Sequence, residues 1–352
     1  MKKTLWMLGV AVAALTSCTE SEVLDVPESR VIGFDSHVDK ATRGSIIASK
    51  NALSDFYVYG KYGADANSAT TSLFSPNGYA TLTWDNNHYS YEPHEIWQED
   101  KSYYFAAYSD GNHMLTDPVT ISYEPNSTSN GLIISNYTVG ENDLIASVLP
   151  VINTEDDGSG IPTGRLVFQF AHLLSRVRFE VENTSSTTDD IAIKITDITF
   201  NGTTKATCTF TQMGSVTWTS PVSGNYTFNF SNLLYPTQTV IVENFVIPQS
   251  NSLTVDIVLE SFKNDGTGNY TIPTGTKTLD DVSLAFANGP DENKTNFWHP
   301  GWVYNYIIKY GGDVSYIHFD AAVSDWNYDF DGNFDGGTND DIPISTTPVV
   351  TP

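Results

Sequence analysis

Apolar residues alternate with polar ones along most of this chain, and that two-residue period leaves room for little besides β-sheet. Tyr226, Phe228 and Phe230 alternate in NYTFNF, Leu253, Val255, Ile257 and Leu259 in SLTVDIVLE, and Tyr304, Tyr306, Ile308 and Tyr310 in VYNYIIKY. Between such runs lie clusters of Asn, Gly, Ser, Thr and Pro, such as NTEDDGSGIPTG and KNDGTGNYTIPTGT, which have the chemistry of turns. Helical spacing is not sustained over any length beyond the N-terminal segment. The pattern predicts an all-β protein of sandwich architecture.

Two runs change phase. In GRLVFQFAHLLSRVRFEVEN the apolar face is first Leu166, Phe168 and Phe170, then Val177, Phe179 and Val181. A slip of one residue exchanges the two faces of a strand, so a bulge or kink is expected near Leu173 to Ser175. IAIKITDITF changes face after Ile195 in the same way. A chain of 352 residues can build two cores, and the longest polar stretch, Asn153 to Gly164, separates two halves of similar size. The expected division is an N-terminal sandwich over residues 44–160 and a C-terminal one over residues 161–326.

The N-terminus opens MKKTLWMLGVAVAALTSC, with a cationic start at Lys2 and Lys3 and an apolar run, Leu5 to Leu15, too short to span a bilayer. Residues 1–18 are expected to be a signal peptide. Its end, Leu15 to Cys18, resembles the lipobox of bacterial lipoproteins, which implies acylation of Cys18. The plain alternative is a cleavable signal in which that cysteine is incidental. Glu20 and Glu22 in TESEV are similar to the acidic patch that accompanies delivery to the outer face of the outer membrane in some Gram-negative lipoproteins.

Forty-two acidic residues against 17 basic ones give a formal charge of −25, a field that disfavours nucleic acid and anionic lipid as partners and helps solubility. Of the two cysteines, Cys208 in TKATCTF alternates with Ala206 and Phe210 and reads as a small inward-facing core residue. No disulfide framework, zinc spacing or Cys/His nucleophile is present.

Enzyme signatures are absent: there is no G-x-S-x-G elbow, phosphate loop or dinucleotide glycine pattern. HEIWQ starts like a zinc-protease helix but carries Gln98 where the second histidine belongs. A glycosidase-like carboxylate pair is the one enzymatic alternative left open, but chance pairs are expected among so many acidic residues, and no catalytic activity is expected. Near the C-terminus Asp331, Asn333, Asp335 and Gly336 fit the head of a calcium loop, D-x-N-x-D-G, but Ile342 stands at the twelfth position, where a bidentate carboxylate would close it. The plainer reading of residues 327–352 is an acidic linker followed by a Pro/Thr tail. The seven tryptophans and nineteen tyrosines fill sandwich cores on the ordinary reading; exposed ones would offer platforms for sugars.

One stretch remains, VIGFDSHVDKATRGS. Ile32, Phe34 and Val38 share one face of a strand that runs into Lys40, Arg43 and Gly44. Its meaning comes from a resemblance carried by several other stretches. KSYYFAAYSDG and ENDLIASV, then LVFQFAHLLSRVRFEVEN, ENFVIPQSNSLTVDI, WHPGWVYNYIIKYGG and IHFDAAVSDWN together resemble the fimbrillin family, subunits of type V pili, in order and spacing over most of the chain. The resemblance implies two transthyretin-like β-sandwich domains in tandem and assembly by donor-strand exchange with other fimbrillin subunits, supporting adhesion. It implies a lipoprotein precursor at the outer membrane, cut by a trypsin-like protease between Arg43 and Gly44, which releases residues 19–43, the tether and first strand. Ile32, Phe34 and Val38 are then the side chains of a plug strand, and the vacated groove takes a neighbour's C-terminal segment, with Ile342, Ile344 and Val350 as anchors. Pro343, Pro348 and Pro352 each remove a ladder donor from that tail. The competing readings are an uncut, lipid-anchored pilus anchor and a glycan-binding surface lipoprotein using exposed aromatics; a host protein or glycan is the further partner that adhesion implies.

Overall fold

The computed structural model describes residues 30–38, 53–65, 68–85, 88–125, 131–212, 214–230, 232–285, 297–311, 317–325 and 342–344. Among them every extended element is a strand and no α-helix occurs. The first half of the chain forms β1 (Phe34–Val38), β2 (Asp55–Gly63), β3 (Thr71–Ser72), β4 (Tyr79–Asp85), β5 (His88–Ser90), β6 (Lys101–Asp110), β7 (Thr120–Glu124), β8 (Gly131–Thr138), β9 (Leu144–Val148) and β10 (Ile152–Thr154). The second half forms β11 (Leu166–His172), β12 (Ser175–Asn183), β13 (Ile191–Ile195), β14 (Ile198–Thr211), β15 (Val216–Phe228), β16 (Thr239–Val246) and β17 (Thr254–Asn264). It closes with β18 (Tyr270–Ser283), β19 (Trp302–Tyr310), β20 (Ile317–Asp325) and β21 (Ile342–Ile344).

These strands make four sheets. A nine-stranded sheet runs β1-β11-β9-β6-β2-β4-β5, with β10 on β6 and β3 on β2. Opposite it lies a four-stranded sheet, β15-β14-β8-β7. The remaining two are β16-β12-β19-β20-β21 and β13-β17-β18.

Both faces of the large sheet are covered, and β6 shows the consequence. Tyr104, Ala106 and Tyr108 enter the core shared with the four-stranded sheet, while Tyr103, Phe105 and Ala107 enter a second core on the other face. The alternation of polarity disappears from such a strand because neither face meets water. A third core lies between the five- and three-stranded sheets, where Val255, Ile257, Leu259, Tyr304, Tyr306, Ile308 and Tyr310 all point inward, as their alternation predicts.

The phase changes mark the ends of strands. The run from Leu166 to Asn183 is not one bulged strand: β11 ends at His172 in the nine-stranded sheet and β12 begins at Ser175 in the five-stranded one. Leu173 and Leu174, both fully buried, make the crossing. IAIKITDITF divides likewise, β13 ending at Ile195 and β14 starting at Ile198 in another sheet. Sheet membership also crosses the boundary expected at residue 160: β11 pairs with β1 and β9, and β14 pairs with β8. The core between the large and the four-stranded sheets draws on residues from Tyr57 to Val303. Cys208 faces that core with Ala206 and Phe210, and burial pushes its thiol pKa up.

Candidate functional site

The expected plug strand is an edge of the nine-stranded sheet. β1 runs parallel to β11, in register from Phe34 with Leu166 to Val38 with Phe170, and the Leu166 amide donates to the Gly33 carbonyl at 2.8 Å. This pairing follows from the two faces of the segment: Ile32 and Phe34 are fully buried, and Ser36 shares their side. The Phe34 ring sits among four others, with centroids 5.2 Å from Phe105, 5.7 Å from Phe168, 5.7 Å from Tyr91 and 6.3 Å from Phe74.

The other side of β1 meets the far end of the same sheet. Backbone bonds there are few: the Ile32 amide donates to the Glu95 carbonyl at 2.9 Å and the Trp97 amide to the Arg30 carbonyl at 2.9 Å. Side chains do the rest. The Tyr91 hydroxyl donates to the Ile32 carbonyl at 2.8 Å, and the Arg165 Nε–H donates to the Phe34 carbonyl at 2.8 Å. The Arg165 Nη2 reaches on to the Tyr89 carbonyl, so one guanidinium spans β1 and β5. The Ser36 hydroxyl donates to the Tyr89 hydroxyl at 3.0 Å, which itself donates to the Leu53 carbonyl at 2.5 Å. Burial, above all, pushes the Tyr91 hydroxyl pKa up to about 12, so it keeps its proton and remains a donor at physiological pH.

The arrangement is a slot: a ladder on one wall, a seam of side-chain donors on the other, and an aromatic floor. Burying Ile32 and Phe34 in it is worth about 1.5–3 kcal/mol each. Without β1, β11 has an unpaired edge and Phe105 and Phe168 lose their cover, which is the surface that invites a replacement strand.

The expected donor residues lie elsewhere. Ile342 and Ile344 belong to β21, which runs antiparallel on the outer edge of β20 in the five-stranded sheet, pairing Ile342 with Val323 and Ile344 with Ala321. Pro343 is compatible with that position because an edge strand has one side free of ladder partners. The structure therefore does not bring plug and tail together. Cys18, Arg43, Gly44, Val350 and the calcium candidates Asp331, Asn333 and Asp335 lie outside the described residues. Among the described residues no group of three or more His, Cys, Asp or Glu side chains could hold a metal ion. Among the described residues the exposed large aromatics are Tyr235, beside a groove with Lys194, Phe230 and Val240, and Phe297, whereas most of the others fill cores.

The sequence profile of the fimbrillin-like family matches residues 41–326, most of the chain. This chain belongs to the fimbrillin-like family. No curated protein matches it. Among solved structures, a fimbrial protein from Bacteroides vulgatus is similar at 15% identity with a TM-score of 0.57, over 84% of this chain and 99% of that one. A protein from Bacteroides uniformis described as a cell adhesion protein is similar at 14% identity and a TM-score of 0.45, over 84% of this chain and 99% of the other. The fimbrial anchor protein Mfa2 from Porphyromonas gingivalis is similar at 9% identity and 0.35, over 84% and 98%. The likeness to the Bacteroides vulgatus protein is one of fold.

In this fimbrillin-like chain the slot's wall residues Tyr89, Tyr91, Glu95 and Arg165 escaped sequence reasoning. Arg165 lies 131 residues from Phe34, and nothing local marks it as that strand's partner. The one available signal is its place directly before the β11 run, on a strand whose phase was already readable.

Proposed function

We propose that this chain is a non-enzymatic fimbrial subunit of the cell surface, assembled with other fimbrial subunits by strand exchange into the slot that β1 fills. It is exported as a lipoprotein acylated at Cys18, held at the outer membrane, and cut between Arg43 and Gly44. The observation that carries this reading is that the segment is both anchored in the core and peripheral: Ile32 and Phe34 are core residues, yet β1 lies at the end of its sheet and just ahead of Arg43. A strand placed so can be withdrawn without unthreading any other. In the uncut chain both the slot and the tail strand are satisfied internally, the first by β1 and the second by β20, which keeps the precursor monomeric. After cutting, Ile342 and Ile344 of a neighbour supply the anchors in the slot, with Val350 following beyond it.

The test compares wild type, Arg43→Ala and a deletion of residues 342–352, each treated with a trypsin-like protease and run on a gel without boiling. Wild type is expected to give a ladder, because each junction is a buried strand whose release requires opening a core. The two variants are expected to stay monomeric. A ladder from the deletion means that another segment is the donor. No ladder from any of the three overturns strand exchange and leaves a lipid-anchored surface protein, whose mature mass would start at acylated Cys18 rather than Gly44.

A further inference from the structure

The two grips on the open side of β1 both take a main-chain carbonyl: Tyr91 holds that of Ile32 and Arg165 that of Phe34. Neither depends on which side chains the strand carries. The two carbonyls are one residue-pair repeat apart, and they belong to the same residues whose side chains enter the core. Gly33, between them, faces the opposite wall. Its carbonyl accepts from the Leu166 amide, but among the described residues its own amide donates to no one. A Cβ at Gly33 would stand 3.2 Å from Arg165 Cγ.

We infer that Arg165 and Tyr91 form a clasp that reads the backbone of whichever strand fills the slot and sets its register, and that the strand seated there from a second copy is Ile342–Ile344. This rests on the strand-exchange reading above. In the register so fixed, Ile342 takes the place of Ile32, Pro343 that of Gly33 and Ile344 that of Phe34. The match is one of hydrogen-bond accounting. Proline has no amide donor, and the Gly33 position uses none. A shift by one residue puts Pro343 in the place of Ile32, where it forfeits the bond to the Glu95 carbonyl, and turns both isoleucines out of the core. The clasp therefore admits a proline-containing segment at one register and rejects it at the next. The proline Cβ presses on the Arg165 stem, so the arginine gives slightly to admit it.

The experiment uses the full chain with a site-specific protease sequence in place of residues 39–43. After cutting, it is titrated with two labelled peptides, residues 30–38 and residues 340–348, and binding is read by fluorescence anisotropy. Both peptides are expected to bind. Arg165→Leu is expected to weaken both by about tenfold, equivalent to about 1.4 kcal/mol, because the lost bond is charge-assisted and backbone-directed. Arg165→Lys is expected to recover part of the loss. A third peptide, residues 30–38 with the Phe34 carbonyl oxygen replaced by sulfur, a poorer acceptor, is expected to bind wild type more weakly but to bind Arg165→Leu as the oxygen form does. A merely structural arginine would not show that coupling. Equal binding by wild type and Arg165→Leu, or the same sulfur effect in both, overturns the clasp. Binding of the 30–38 peptide without the 340–348 peptide overturns the assignment of the tail. Binding of neither peptide to the cut wild type overturns strand exchange itself, and the clasp with it.

Discussion

Replacing Phe34 by alanine removes the largest side chain of the plug strand. That ring is fully buried and touches Phe74, Tyr91, Phe105 and Phe168. The transfer contribution of such a side chain is about 1.5–3 kcal/mol. A cavity term adds to it, because the four surrounding rings stand on strands and loops held by their own neighbours and collapse only in part; the total expected for Phe34→Ala is about 3–5 kcal/mol. The same energy should appear in two ways. In the uncut chain it lowers the unfolding free energy measured in urea, followed by the fluorescence of the tryptophans, of which Trp97 lies in the same core. In a chain cut between β1 and β2, β1 is a separate fragment, and about 3–5 kcal/mol becomes a loss of retention of roughly a hundred- to several-thousand-fold, read by size-exclusion chromatography. Val167→Ala is the control: Val167 pairs with Asp35 on the same ladder but is 49% exposed, and a change within about 0.5 kcal/mol is expected. If Phe34→Ala changes stability by no more than the control does, β1 is not an integral part of the core and the slot argument fails.

Three further outcomes are expected. Gly60→Ala should destabilise by about 1–3 kcal/mol through overpacking, since its Cβ would meet Phe74 Cε2 at 2.9 Å and Phe105 Cε1 at 3.1 Å; urea midpoints test it, and an unchanged midpoint would show that these rings yield freely. Asp110 has its carboxyl pKa raised, chiefly by burial, so from the ordinary carboxylate range upward the native state holds that proton more tightly than the unfolded chain, and stability falls as pH rises through the window. Asp110→Asn should flatten that slope in urea titrations at a series of pH values, and an identical slope in the variant would refute the assignment. Cys208 should react with a thiol reagent at the rate of unfolding, being buried on β14 with its pKa pushed up; rapid labelling in native buffer would mean that β14 opens locally.

Local sequence carried the strands and their inward faces because a two-residue period is set by each segment's own side chains. Ile32 and Phe34 were readable in this sense, as were Cys208 and the Tyr304–Tyr310 run. Pairing was not, because it depends on residues far along the chain: β1 finds its parallel partner at Leu166–Phe170. The same distance hid the seam, where Arg165, Tyr89 and Tyr91 look like ordinary loop and strand residues until the sheet curls and brings its two ends together. The phase change at Leu173 was visible, but a bulge and a crossing between sheets leave the same trace in a sequence, and the crossing is what the buried Leu173–Leu174 pair makes. The polar stretch at Asn153–Gly164 looked like a boundary because it lacks apolar residues, yet the chain continues past it into β11 of the same sheet.

β14 has a mechanical consequence. Its first residues, Ile198 and Phe200, lie in one core and its last, Ala206, Cys208 and Phe210, in another, with the ladder to β15 shifting register between Thr203 and Thr207. A swinging joint between those cores would have to tear the ladder to β15, which runs along both segments, so bending is confined to the irregular residues where the strand already deviates. Such a body flexes like a stiff beam. In any string of these molecules the compliance would reside at the junctions between copies, so each copy would turn as one body and the string would bend only where copies meet.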